Sequence, residues 1–187
     1  MYLLIHRLSL GVLSTDNTPH TDHHTKIKTI LWDGAIMTGW IPDDEYKKIL
    51  ENMPICCVDL VVRRNNKVLL VFRANEPAKD KWWLPGGRVY KRETLEQAAA
   101  RKVLEEAGLQ VRVVRKIGAY ETIFDKGPFD DLKTGVHNIN VCFVVEPVDD
   151  RNVRLDKTSS RYRWIDRIEE DLDPYVKQVL SDSRVFG

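Results

Sequence analysis

Cysteine is scarce in this chain, charge of either sign is nearly balanced, and each shortage removes a class of protein. Only three cysteines occur among 187 residues: Cys56, Cys57 and Cys142. An odd number argues against a disulfide framework, and all three lie in apolar, strand-like runs. They are expected to be reduced thiols in the core of a cytoplasmic protein. Lys and Arg number 29 against 28 Asp and Glu, a net charge of +1. No one-signed field steers such a chain to nucleic acid or to an anionic membrane. A long apolar run is also missing. MYLLIHRLSLGVL at positions 1–13 is broken by His6 and Arg7, and it is shorter than the ~20 residues a membrane-spanning helix needs. No clean small-residue cleavage site follows it, and there are no internal repeats.

What remains fits one domain. With 43% hydrophobic residues over 187 positions, the chain can bury a full core and carry modest extensions. STDNTPHTDHHTK at 14–26 is polar and reads as a loop or disordered stretch. Its histidines His20, His23 and His24 lack partner ligands at structural-site spacing and read as solvated. Residues 1–36 are therefore expected to be an extension, either native or the product of an upstream start, with the domain proper at 37–187. Its removal is expected to leave the domain intact.

From Pro42 the pattern becomes globular. Asp43 to Met53 carries Tyr46, Ile49 and Leu50 at helical spacing. ICCVDLVVR (55–63) and KVLLVFRA (67–74) read as strands joined by a turn at Arg64-Asn65-Asn66. LQVRVVRKIGAYETIF (109–124), HNINVCFVVEP (137–147) and YRWI (162–165) add strands, with an acidic, glycine-containing loop at 125–136. A stretch with Leu172, Val176 and Val179 closes the chain as a helix.

The most informative stretch is WWLPGGRVYKRETLEQAAARKVLEEAGL, residues 82–109. Pro85-Gly86-Gly87 specifies a tight turn. Thr94 with Gln97 is a capping box opening a helix, which Ala98, Ala99 and Ala100 favour and Gly108 stops. At helical spacing Arg101 and Glu105 lie one turn apart, as do Lys102 and Glu106, so the four crowd one side. Paired carboxylates there offer hard oxygens to Mg²⁺ or Mn²⁺ shared with phosphates; the plainer alternative is a solvated acidic helix end, which the macrodipole disfavours. Glu93 and Arg101 bracket turn and helix and are expected to form an internal salt bridge. Arg88, next to the turn, is placed for diphosphate oxygens, as is Arg73; Arg73 has the competing role of capping a strand edge. Trp82 and Trp83 alternate across a strand, so one should fill core and the other face a pocket.

This run resembles the Nudix box: Gly87, five residues, Glu93, seven residues, Arg101, then Glu105, Glu106 and Gly108. The resemblance implies an α/β Nudix fold, an α/β/α sandwich with a mixed sheet. It also implies hydrolysis of a nucleoside diphosphate linked to another group, with a divalent cation (Mg²⁺ or Mn²⁺). Lys102 departs from the box, standing where the family has a glutamate. As an exposed i,i+4 pair with Glu106 it would be weak, and beside a metal it is expected to swing towards substrate phosphate or solvent.

Beyond the box, Asp59 in CVDLVV, the run Arg73 to Ala78 and YRW (162–164) are similar to the GDP-mannose mannosyl hydrolases, a branch that also lacks the usual box glutamate. That likeness, from about Met37 to Leu180, implies substitution at the anomeric carbon, with metal held by Gly86, Glu105, Glu106 and Glu121. It implies Glu105, Glu106, Arg88 and Asp59 as catalytic groups and Arg73, Arg88 and Lys102 as substrate-binding ones. The branch's catalytic histidine falls at Thr122, which cannot serve as a base at neutral pH; Asp125 and His137 are the substitutes to consider. Three functions follow as expectations. The first is a metal-dependent hydrolase of nucleotide sugars, GDP-mannose-like, releasing nucleoside diphosphate and sugar. The second is a pyrophosphohydrolase cutting P–O in a nucleoside diphosphate derivative, and the third a non-catalytic nucleotide-binding module. A nucleotide-sugar or nucleoside diphosphate is the expected partner, neither nucleic acid nor membrane is, and a homodimer stays open.

Overall fold

The computed structural model describes residues 29–32, 35–38 and 41–187, the first two segments as backbone only. Those two form a separate antiparallel hairpin, β1 (Thr29–Trp32) and β2 (Ala35–Thr38), which straddles position 36. The remainder of the expected 1–36 extension, its histidines included, lies outside the described residues.

The domain is a mixed sheet between helices. After α1 (Asp43–Asn52) come β3 (Ile55–Arg64), β4 (Lys67–Arg73), β5 (Trp82–Trp83), β6 (Gly86–Arg88) and α2 (Leu95–Ala107). They are followed by β7 (Val111–Phe124), β8 (Val136–Pro147), β9 (Ser159–Ile165) and α3 (Pro174–Ser183). The order across the sheet is β5-β4-β3-β8-β7, with β6 against β3 and β9 against β4. Within this sheet only β3 and β8 run parallel. Alternation along β3 divides the core. Val58, Leu60 and Val62 pack with Ala98, Ala99 and Val103 of α2, while Val61 packs with Val176, Val179 and Leu180 of α3. A third cluster joins Leu50 of α1 to Ile55, Cys57 and Val136. This is the expected α/β/α sandwich with a mixed sheet.

Of two local expectations, the asparagine turn holds and the burial of the cysteines needs correction. Asn65 and Asn66 turn with φ of 49° and 59°, the backbone a tight hairpin demands. Yet β3 and β4 pair only at Arg63↔Val68 and Arg64↔Lys67 before they part. The gap admits the glycine turn. β6 pairs with β3 there, and Leu60 N–H donates to Pro85 O at 2.8 Å. Splaying of this hairpin is what creates the site. Second, the three cysteines are free, but only Cys57 and Cys142 are buried. Cys56 is exposed because it precedes Val58–Val62, the part of its face that α2 covers.

Candidate active site

The turn is built by close approach. Opposite Asp59 in the β3–β6 register stands Gly86, where a Cβ would fall 2.0 Å from Asp59 Oδ1 and 2.5 Å from Val58 O. No other residue fits. Gly87 has φ of 147°, and its Cβ would meet Lys102 Cε at 2.8 Å. Behind the turn, α2 begins as expected, with the reciprocal Thr94–Gln97 capping box, and ends on Gly108 in the left-handed conformation.

One face of α2 carries a charged network. Arg101 Nε and Nη2 donate to Glu93 at 2.6 and 2.8 Å, with Nη2 also reaching Arg88 O at 2.9 Å. The Arg101 guanidinium lies 3.7 Å from the Tyr90 ring centroid. This is the expected internal salt bridge, and both its partners are buried. Arg101 Nη1 donates to Glu105 at 3.0 Å. Lys102 Nζ lies 2.8 Å from Glu106 Oε1 and 3.5 Å from Glu105 Oε2, and Gly86 N–H donates to Glu106 Oε2 at 3.1 Å. Burial lowers the Lys102 pKa, but Glu106 and Glu105 outweigh it and hold the ammonium above the usual lysine value.

Lys102 makes the i,i+4 pair with Glu106 that the spacing predicts, but that pair is not an exposed one, the side chains being 15% and 3% accessible. Bending inward satisfies Glu106, which burial would otherwise leave with only a backbone donor.

Beside the turn opens a cavity of about 240 Å³. Asp59, Gly86, Gly87, Arg88, Arg73, Tyr46 and Trp83 border it on one side, Thr122, Asn138 and Asn140 on the other. Asp59 is 5% exposed and accepts a hydrogen bond from Tyr175 OH. Burial raises its pKa to about 7; Tyr175 opposes the rise, Glu106 adds to it, and Arg73 and Lys102 oppose it. A proton can thus stay on this carboxyl near neutrality. Asp59 also helps push the buried Cys57 thiol up to about 12, after burial itself. Arg88 sits 4.6 Å over the Tyr46 ring. Arg73 Nε donates to Pro77 O at 3.2 Å, so this arginine ties down a loop while bordering the cavity. Trp83 borders the cavity and stacks on Tyr175 at 5.2 Å. Trp82 lies against Phe72 instead, with Arg163 over its ring at 4.2 Å.

The far wall departs most from expectation. Thr122 Oγ1 accepts from Asn140 Nδ2 at 3.0 Å and from Asn138 Nδ2 at 3.4 Å. Strand alternation sends its neighbour Glu121 the other way. Glu121 is exposed and lines a separate hollow with Ala119, Tyr120 and Gln178. Asp125 is exposed in the loop, and His137 does not border the cavity. Asn138 and Asn140 were missed by sequence reasoning; their signal was two amides at period two just before the apolar run 141–145.

The residues expected to hold a divalent cation do not fit one as arranged. Glu105 and Glu106 are ion-paired to Arg101 and Lys102. Among the described residues no three acidic, histidine or cysteine groups converge on a common point.

Fold and box together define a Nudix protein: the chain matches the NUDIX domain over residues 54–181 and belongs to that family. Its members act on nucleoside diphosphate derivatives and generally use divalent metal ions. The chain is 39% identical to the low-salt glycan biosynthesis protein Agl8 of Haloferax volcanii, over 76% of this chain and 90% of that one. It is 35% identical to an ADP-ribose pyrophosphatase of Methanocaldococcus jannaschii over 51% of this chain and 52% of that protein. A NUDIX hydrolase from Nitrosomonas europaea superposes with a TM-score of 0.58 at 25% identity, covering 70% of this chain and 88% of the other. No helix among the described residues is long and apolar enough to cross a membrane.

Proposed function

We propose that this Nudix hydrolase cleaves nucleotide sugars of the GDP-mannose kind at the anomeric carbon, releasing nucleoside diphosphate and sugar. The observation that carries the proposal is the state of the box carboxylates. Glu105 and Glu106 are both ion-paired to cations of α2, so neither is free to activate water for attack on phosphorus. Carbon attack asks less of a base, because an oxocarbenium-like centre accepts a weak nucleophile and the barrier lies in the departing group. Arg88, at the turn, binds and orients the diphosphate. Asp59, protonated below about pH 7, gives its proton to the leaving diphosphate oxygen as the sugar C–O bond breaks. Water supplies the new C–O bond and its proton restores Asp59. Thr122, Asn138 and Asn140 offer hydroxyl and amide groups for the sugar, with Arg73 closing the loop side. The similarity to a glycan biosynthesis protein supports a sugar substrate. The Mg²⁺ (or Mn²⁺) of the sequence analysis carries no step here. A cytoplasmic setting belongs to the same proposal, supported by three free cysteines.

Turnover of a nucleotide-sugar panel in ¹⁸O water tests it. Label is expected on the sugar, with nucleoside diphosphate as the other product and a rate that falls as pH rises through about 7. Label on phosphate overturns the reading in favour of the pyrophosphohydrolase that the second relative suggests. No turnover of any substrate leaves a nucleotide-binding module.

A further inference from the structure

We propose that Lys102 is the built-in occupant of the cation seat of this box, so that the seat takes an ammonium from the chain rather than a divalent ion from solution. Three independent features converge on the Lys102 side chain. Its Nζ bridges Glu106 at 2.8 Å and Glu105 at 3.5 Å, the two carboxylates that α2 directs to this point. The glycine turn lies against it: a Cβ on Gly87 would meet Cε at 2.8 Å and Nζ at 3.3 Å. And Glu106, 3% exposed, uses its second oxygen on Gly86 N–H at 3.1 Å, so both its oxygens are satisfied with no metal.

Charge explains why the two occupants exclude each other. The face holds Glu93, Glu105 and Glu106 against Arg101 and Lys102. A glutamate in place of Lys102 would turn that excess of one negative charge into three, a field that favours a hard divalent cation. With lysine there, an entering cation would have to expel the ammonium, leaving two cations within a few ångströms of each other in a half-buried site. The family's metal use and this chain's residues thus disagree at one position.

The test needs no substrate, so it stands or falls apart from the proposed reaction. Free Mn²⁺ is followed by electron paramagnetic resonance during titration of the full chain, Lys102→Gln and Lys102→Glu, with thermal melts in EDTA and in Mg²⁺ beside it. Wild type is expected to bind Mn²⁺ at least about tenfold more weakly than Lys102→Gln, and about a hundredfold more weakly than Lys102→Glu. Mg²⁺ should raise the melting temperature of the variants and not of wild type. The melts in EDTA show directly that each variant is folded, and either variant alone carries the comparison. Wild-type binding as tight as that of Lys102→Gln, or an equal Mg²⁺ rise in its melting temperature, would overturn the proposal.

Discussion

Arg101 and Lys102 are adjacent on α2 and both are paired with carboxylates, yet their surroundings differ. Arg101 is enclosed: Glu93 takes two of its donors, Glu105 another, Arg88 O shares one, and Tyr90 covers its face. Lys102 is held by Glu105 and Glu106 alone, under a turn of two glycines that borders the cavity. One neighbour is framework and follows the family's pattern; the other stands where the family does its chemistry and breaks it. A motif can keep its architecture while changing its electrostatics.

The comparison breaks most sharply at Arg101. Arg101→Leu leaves Glu93 buried without its cation, which costs about 3–5 kcal/mol. In a chain this long that lowers the melting temperature by roughly 10 °C or more. A loss within experimental error would deny the framework role.

Asp59 reports on the seat from the other side of the turn. Burial favours its neutral form, so the folded chain keeps a proton that the unfolded chain has already released. The associated stability is complete below the ordinary carboxylate range and is lost as pH rises through about 7. Between about pH 5 and about pH 8 wild type should lose on the order of 2 kcal/mol relative to Asp59→Asn, measured by urea denaturation at each pH. Parallel pH profiles would count against a buried, neutral Asp59.

A smaller effect belongs to Lys102→Met. In EDTA it strips Glu106 of its cation but leaves Gly86 N–H, for a loss of about 1–2 kcal/mol. Divalent cation should return part of that stability, whereas none should return to Arg101→Leu. Recovery in both variants, or in neither, would erase the distinction between framework and seat.

Glu121→Gln sits at the end of the scale. Exposed, and with Lys102 occupying the seat, it should change stability by less than about 0.5 kcal/mol and Mn²⁺ binding not at all. A marked effect on either would bring Glu121 back to the box.

How far the sequence could be read follows from how local each cause is. The capping box, the Gly108 stop and the Glu93–Arg101 bridge are set by residues within one turn and helix, and their spacing predicts them. The amphipathic α1, long β7 and β8, and the asparagine turn are similarly local. The splaying of β3 from β4 is not, because it depends on β6 entering between them. Nor is the burial of the Lys102–Glu106 pair, which depends on the glycine turn lying over it. Strand phase separates Thr122 from Glu121, and that phase comes from the β7 register with β8, which shifts between Val113 and Arg115 and again between Lys116 and Gly118. Carrying a ligand set along the sequence from Gly118 does not determine which face of the sheet each residue occupies.

The most direct measurement is the anomalous difference density of a crystal of the wild-type chain grown in excess Mn²⁺. No manganese peak is expected between Glu105 and Glu106, and Lys102 Nζ should lie within hydrogen-bond reach of Glu106. A well-occupied Mn²⁺ there, ligated by Glu105 and Glu106 with Lys102 turned away, would contradict this expectation.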